Sequence, residues 1–210
     1  AETESRMATL EDEMRKAMLN LGFNIVILPA DQNLGDWYAE DYAAKTMPEE
    51  YVDRLARSKI VTVRHLLPSL QQKVTWPEQK RTVILVGTRG EVPNLHRDPK
   101  KPLVEPVPES TIVLGNEIHQ SLGFDVGDTV QFMGREFTVH RVHRERGSKD
   151  DITVWINLRE AQELLYKEGE INAILALECK CAWADLAAVR KEIGAILSDT
   201  QIVERYRRRE

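Results

Sequence analysis

The sequence predicts an α+β fold in which two strand–helix–strand units flank a β-rich insert. Three observations predict it. Residues 24–67 read as an apolar strand, an amphipathic helix and a second strand, and residues 171–203 repeat that order. Between them, residues 111–142 read as a strand, a short helix, a Gly turn and a tight hairpin. No internal repeat at the level of sequence accompanies the two units.

In chain order, Met7, Leu10, Met14, Ala17 and Leu21 fall at alternating spacings of three and four. That is a heptad seam on one helix, and Gly22 ends it. Three heptads are short for a free coiled coil, so the spacing predicts a stalk over 1–22 attached to something larger. Residues 24–28 form an unbroken apolar run stopped by Pro29, as a buried strand requires. Residues 30–46 are expected to be a polar loop carrying Trp37 and Tyr38. Thr46-Met47-Pro48-Glu49 has the spacing of a capping box with Pro in the first turn, and predicts a helix with Tyr51 or Val52, Leu55 and Ala56 inward. A strand follows over 60–67, then a hairpin of 73–76 and 81–87 about Pro77 and Glu78.

Five of the nine prolines lie between Pro93 and Pro108. They favour extended backbone and predict a connector over 91–110 between a first half, 23–90, and the insert, 111–157. Within the insert, Asn116 is expected to cap a helix that Gly123 closes, and Gly127-Asp128 turns into the hairpin about Met133-Gly134. A charged loop leads to a strand over 152–156, and Asn157 caps a helix through Leu165. The second half, 158–203, ends with an apolar strand, a helix marked by Trp183, Leu186, Val189, Ile193 and Ile196, and a closing strand at 201–203. Residues 204–210 read as the start of a second stalk.

A hydrophobic fraction of 42% and a charged fraction of 30% are those of a globular protein able to bury a core. The net charge of −5 argues against a general nucleic-acid binder. No run of eighteen apolar residues is present, and the acidic opening lacks the apolar centre of a signal peptide. The first residue is not Met and the last seven are a charged run, so a segment of a longer polypeptide is expected.

Chemistry finds little purchase. There is no phosphate-binding Gly-rich loop and no nucleophile elbow. His140-x-x-His143, with Asp150 and Asp151 downstream, has a metal-like composition, but residues three apart on a strand face opposite ways. His65, His96 and His119 are scattered. Cys179 and Cys181, two apart on a strand, are too separated for an easy disulfide. Asp36, Glu40 and Asp41 surround Trp37 and Tyr38 without a histidine or a nucleophile, so a contact surface at the two aromatics is the preferred reading. No catalytic residue, metal or cofactor is expected in this chain.

The order of these parts resembles the extracytoplasmic domain of FtsX-like ABC-transporter permeases, the MacB-like periplasmic core. The resemblance rests on residues 24–28 after an N-terminal helix, on Val113-Leu114-Gly115-Asn116-Glu117, and on Leu122-Gly123. It continues through Val126-Gly127-Asp128-Thr129-Val130, Phe137-Thr138-Val139, Trp155-Ile156-Asn157-Leu158 and Ala161-Gln162-Glu163-Leu164-Leu165. It implies a porter-like lobe built from the two halves, a second lobe from the insert, and stalks to two transmembrane helices. It implies no enzymatic activity here, with ATP hydrolysed on a separate cytoplasmic subunit. The partners implied are that ATPase, a second permease copy, and an adaptor or exported substrate, with no nucleic acid. The place implied is the periplasmic or extracellular side of the inner membrane. The short insert and the aromatic loop at 30–46 depart from the MacB pattern and point to a different branch from the macrolide exporter. Two readings of other classes compete: a soluble ligand- or peptide-binding module with a small barrel, and a metallohydrolase at His140 and His143.

Overall fold

The computed structural model describes residues 22–95, 102–178 and 186–205. The heptad positions Met7, Leu10, Met14 and Leu21, the residues His96, Cys179, Cys181 and Trp183, and the arginine-rich ending from 206 all lie outside them.

One nine-stranded sheet organises the chain. Its strands are β1 (Ile25–Pro29), β3 (Val63–Trp76), β4 (Arg81–Thr88), β5 (Thr111–Leu114), β6 (Thr129–Phe132), β7 (Arg135–Val142), β8 (Thr153–Asn157), β10 (Ala173–Glu178) and β11 (Thr200–Glu204). Their order is β11-β1-β10-β3-β4-β8-β5-β7-β6, parallel only at β4–β8 and β5–β7. A second, two-stranded sheet pairs β2 (Met47–Pro48) with β9 (Glu170–Ile171). The helices are α1 (Leu34–Glu40), α2 (Glu50–Arg57), α3 (Asn116–Leu122), α4 (Leu158–Leu165) and α5 (Leu186–Ile196). None of the described helices is long and apolar enough to cross a membrane.

The expected halves are both present. The units β1–α2–β3 and β10–α5–β11 interleave as the four antiparallel strands β11-β1-β10-β3. Helices α2 and α5 cover one face, where Ile25, Ile27, Val52, Leu55, Leu66, Ile174, Val189 and Ile193 are all buried. The opposite face is closed by α1, whose Trp37 packs with Val26, Leu28, Ala43 and Val203.

The strand β3 joins the two parts of the molecule. Its first half pairs with β10 and its second with β4, with Ser69 opposite both Ala173 and Thr88. Fourteen residues of strand span about 46 Å. It runs unbroken where separate strands over 60–67 and 73–76 are expected. Pro68 is accommodated because it lies at the changeover, where pairing with β4 begins only at Ser69.

Strands β4 to β8 and the end of β3 enclose a second core of Val74, Trp76, Leu85, Ile112, Ile118, Phe132, Phe137, Val139 and Ile156. The edge strand β6 returns to the tip of the β3–β4 hairpin. There the Trp76 indole Nε1–H donates to the Gln131 carbonyl at 2.8 Å. The Glu78 carboxylate accepts from the backbone N–H groups of Met133 (3.2 Å) and Gly134 (2.6 Å). The insert is therefore a small barrel closed by side chains, and Trp76, Phe132 and Phe137 fill its interior edge-to-face.

Several local expectations are corrected. Residues 30–46 are not a bare loop, since Asn33 caps α1 by accepting the Asp36 N–H at 3.0 Å. Thr46 caps no helix: its hydroxyl donates to Glu170 at 2.6 Å while Met47 and Pro48 pair with β9, so α2 starts at Glu50. The cap of α3 is Gly115 and not Asn116, and no side chain fits there, since a Cβ would stand 2.2 Å from the Asp150 carbonyl oxygen. Asn157 caps α4 as expected, accepting the Arg159 N–H at 3.0 Å. Met133 and Gly134 both have positive φ, as a two-residue turn matching the strand twist requires.

Candidate functional site

The buried side of α1 and the turn after it gather polar contacts from distant parts of the chain. Trp37 is 3% exposed and Tyr38 is 64% exposed, their rings meeting edge-to-face at 4.8 Å. The pair expected to form one contact surface is thus divided: Trp37 belongs to the core, while Tyr38 faces solvent with Leu34 one turn earlier.

Asp41 ends α1 in the left-handed conformation at φ 57°, its N–H donating to the Trp37 carbonyl. One carboxylate oxygen accepts from Arg205 Nη2 at 2.9 Å, and the other pairs with Lys149 Nζ. Lys149 also donates to the Asp41 carbonyl at 3.1 Å, and Gln71 Nε2 approaches the same oxygen at 3.4 Å. The Arg205 guanidinium lies 5.6 Å from the centre of the Trp37 ring. Burial pushes the Lys149 ammonium down from its ordinary range, the ion pair with Asp41 pushes it back up, and Arg205 and Asp150 act in smaller, opposite senses.

Each member comes from a different part of the fold. Arg205 follows β11, and its N–H donates to the Asn24 carbonyl just before β1. Lys149 opens the short 3-10 turn Lys149–Ile152 that leads into β8 of the insert. Asp36, Glu40 and Asp41 do not converge as a carboxylate site. Asp36 is exposed in the first turn of α1, and Glu40 pairs with Lys73 at 3.0 Å. Sequence patterns carry no sign of Asp41, Lys149 or Arg205 as a set, because their separations of 108 and 164 residues obey no local period.

His140 and His143 do not meet either. His140 is exposed on β7, whereas His143 is half-buried with its ring against Trp155 at 4.8 Å. Among the described residues no group of three or more His, Cys, Asp or Glu side chains is gathered as metal ligands are. Burial first, and then Arg146 and Arg141, lower the His143 pKa to about 4 against a weak pull upward from Asp150. Since this folded-state value lies below the unfolded value of about 6.5, the unfolded chain takes up the proton first as pH falls. Stability is therefore lost between about pH 6.5 and 4. With the partly exposed ring discounted for solvent, the loss is on the order of 1–2 kcal/mol. His143→Gln is expected to remove this component, so the variant loses less stability than the parent between pH 7 and 5 in urea titrations. Equal losses would refute the assignment.

No protein-family model matches this chain, and no curated protein matches it by sequence. Solved structures do match. The periplasmic region of MacB from Actinobacillus actinomycetemcomitans superposes with a TM-score of 0.59 at 12% identity, over 86% of this chain and 88% of that one. The extracellular domain of the noncanonic ABC-type transporter YknZ from Gram-positive bacteria gives a TM-score of 0.51 at 12% identity, over 86% and 98%. What these chains share with this one is the fold.

Proposed function

We propose that this chain acts outside the cytoplasm as a domain of an ABC-transporter permease, linked to the membrane through its two ends. The observation that supports this reading, beside the likeness in fold, is where the first and last described strands lie. Strands β1 and β11 are antiparallel neighbours, Ile25 opposite Glu204, and Arg205 is hydrogen-bonded to Asn24. Residues 24 and 205 therefore lie side by side, an arrangement that suits a domain set between two transmembrane helices. The insert lies at the other end of β3.

In this reading the domain is not an enzyme and holds no cofactor. ATP is hydrolysed on a separate cytoplasmic subunit, and stalk helices, one of them carrying Met7, Leu10, Met14 and Leu21, bring that work to the outside. A second permease copy supplies the other pair of stalks, and the domain acts on an adaptor, an exported substrate or a regulated enzyme. Tyr38 is the aromatic positioned for such a contact, with Trp37 fixing the helix beneath it.

Topology tests the reading. In the full-length parent with Cys179 and Cys181 replaced by serine, Tyr38→Cys should react with a membrane-impermeant maleimide added outside the cytoplasmic membrane. The parent reading frame should also encode apolar spans just before residue 1 and shortly after residue 210. Labelling that requires lysis of that membrane, or hydrophilic flanks on both sides, would overturn it.

A further inference from the structure

We infer that Asp41 is a shared anchor at which the exit residue Arg205 and the insert residue Lys149 compete, so that withdrawing either cation tightens the hold of the other. The two cations reach one carboxylate from different elements, Arg205 from the end of β11 and Lys149 from the turn before β8 of the insert, so the contact ties the insert to the β1–β11 edge. Asp41 cannot easily turn away from either. Its backbone is fixed as the left-handed cap of α1, its N–H is used by Trp37, and its carbonyl is held by Lys149 and Gln71. With the anion fixed, the remaining interaction between the cations is repulsion, and the presence of Arg205 disfavours the charged form of Lys149.

A change at Lys149 has a route into the insert. Its turn carries the carbonyls of Asp150 and Asp151, against which Gly115 packs too closely for any side chain. The Gly115 N–H donates to the Thr153 carbonyl at 2.8 Å, directly before α3. Movement of the exit that lifts Arg205 from Asp41 thus leaves the insert more firmly docked on the α1 turn. Movement that presses Arg205 inward loosens it. The linkage is a property of the domain itself and does not depend on the transport reading.

Reciprocity gives the test, since a coupling between two sites acts equally in both directions. Amide hydrogen exchange would be followed on the whole 210-residue chain at low ionic strength, where partly exposed charges are least screened. Arg205→Gln is expected to slow exchange at Asp151, Thr153 and Gly115 by about two- to fivefold, the range of partly exposed ion pairs. Lys149→Gln is expected to slow exchange at the Arg205 amide, and amides of the hairpin β6–β7 should not change. In an Asp41→Asn background Arg205→Gln should no longer alter the insert. Faster or unchanged exchange at the far end in either single variant would overturn the inference, as would persistence of the effect without the carboxylate.

Discussion

Trp76→Ala is expected to cost about 4 kcal/mol and to lower the melting temperature by roughly 8–16 °C in a chain of this size. Trp76 is fully buried at the end of β3, edge-to-face with Phe132 at 5.0 Å and stacked on Phe124 at 6.4 Å. It also supplies the hydrogen bond that fastens the free edge of β6. Two losses therefore coincide: a large cavity in the insert core and an open seam. Trp76→Phe is the milder change, because it keeps a six-membered aromatic ring while losing the N–H and the five-membered part of the indole. It is expected to cost about 1–2 kcal/mol. Urea denaturation of both variants checks this, and a Trp76→Ala loss below about 1 kcal/mol would show that the seam does not hold the insert together.

The fold was legible where local physics sets it. Runs such as Ile25-Val26-Ile27-Leu28 are buried whole because both faces of that strand are covered, by α2 and α5 on one side and by Trp37 on the other. The turns at Gly123 and Met133-Gly134 announced themselves because few residues adopt positive φ without strain. What misled was chemistry with two available partners. Thr46 had a capping spacing but took Glu170, 124 residues away. The helix α1, with only seven residues, is too short to show a period, and its cap at Asn33 was the one local sign of it.

The candidate site was much less legible. Trp37 and Tyr38 drew notice as aromatics in a polar stretch, yet nothing in their spacing told which would be inside. Asp41, Lys149 and Arg205 are common surface residue types, and only the tertiary fold makes them a set. Glu160 is a similar case. It has the position of a capping-box glutamate in α4, but its buried carboxylate accepts the Ser110 N–H at 3.0 Å instead, holding the end of the Pro-rich connector. Burial raises its pKa against the opposing effect of that hydrogen bond.

Asn172→Ala is the second large effect, expected at about 3 kcal/mol, or roughly 6–12 °C in melting temperature. Asn172 sits between β9 and β10 and is 1% exposed. Its Oδ1 accepts the Gln71 N–H at 2.9 Å, and its Nδ2 donates at 2.7 Å to the carbonyls of Ala43 and Gln71. One amide thus ties the segment after α1 to β3 beside the Asp41 junction. Alanine leaves one buried donor and two buried acceptors without their partner, and an unpaired buried group costs more than a made bond contributes. Asn172→Asp is the sharper probe. It keeps the acceptor for Gln71 but turns an oxygen toward two carbonyls, so at neutral pH it should be worse than alanine. Burial and the facing carbonyls raise the folded-state pKa of the new carboxyl above its unfolded value, so the native state binds the proton more tightly. The variant is then destabilised above the folded-state pKa and recovers relative to Asn172→Ala as pH falls through it. Equal stability of the two variants at every pH would mean that Nδ2 makes neither bond.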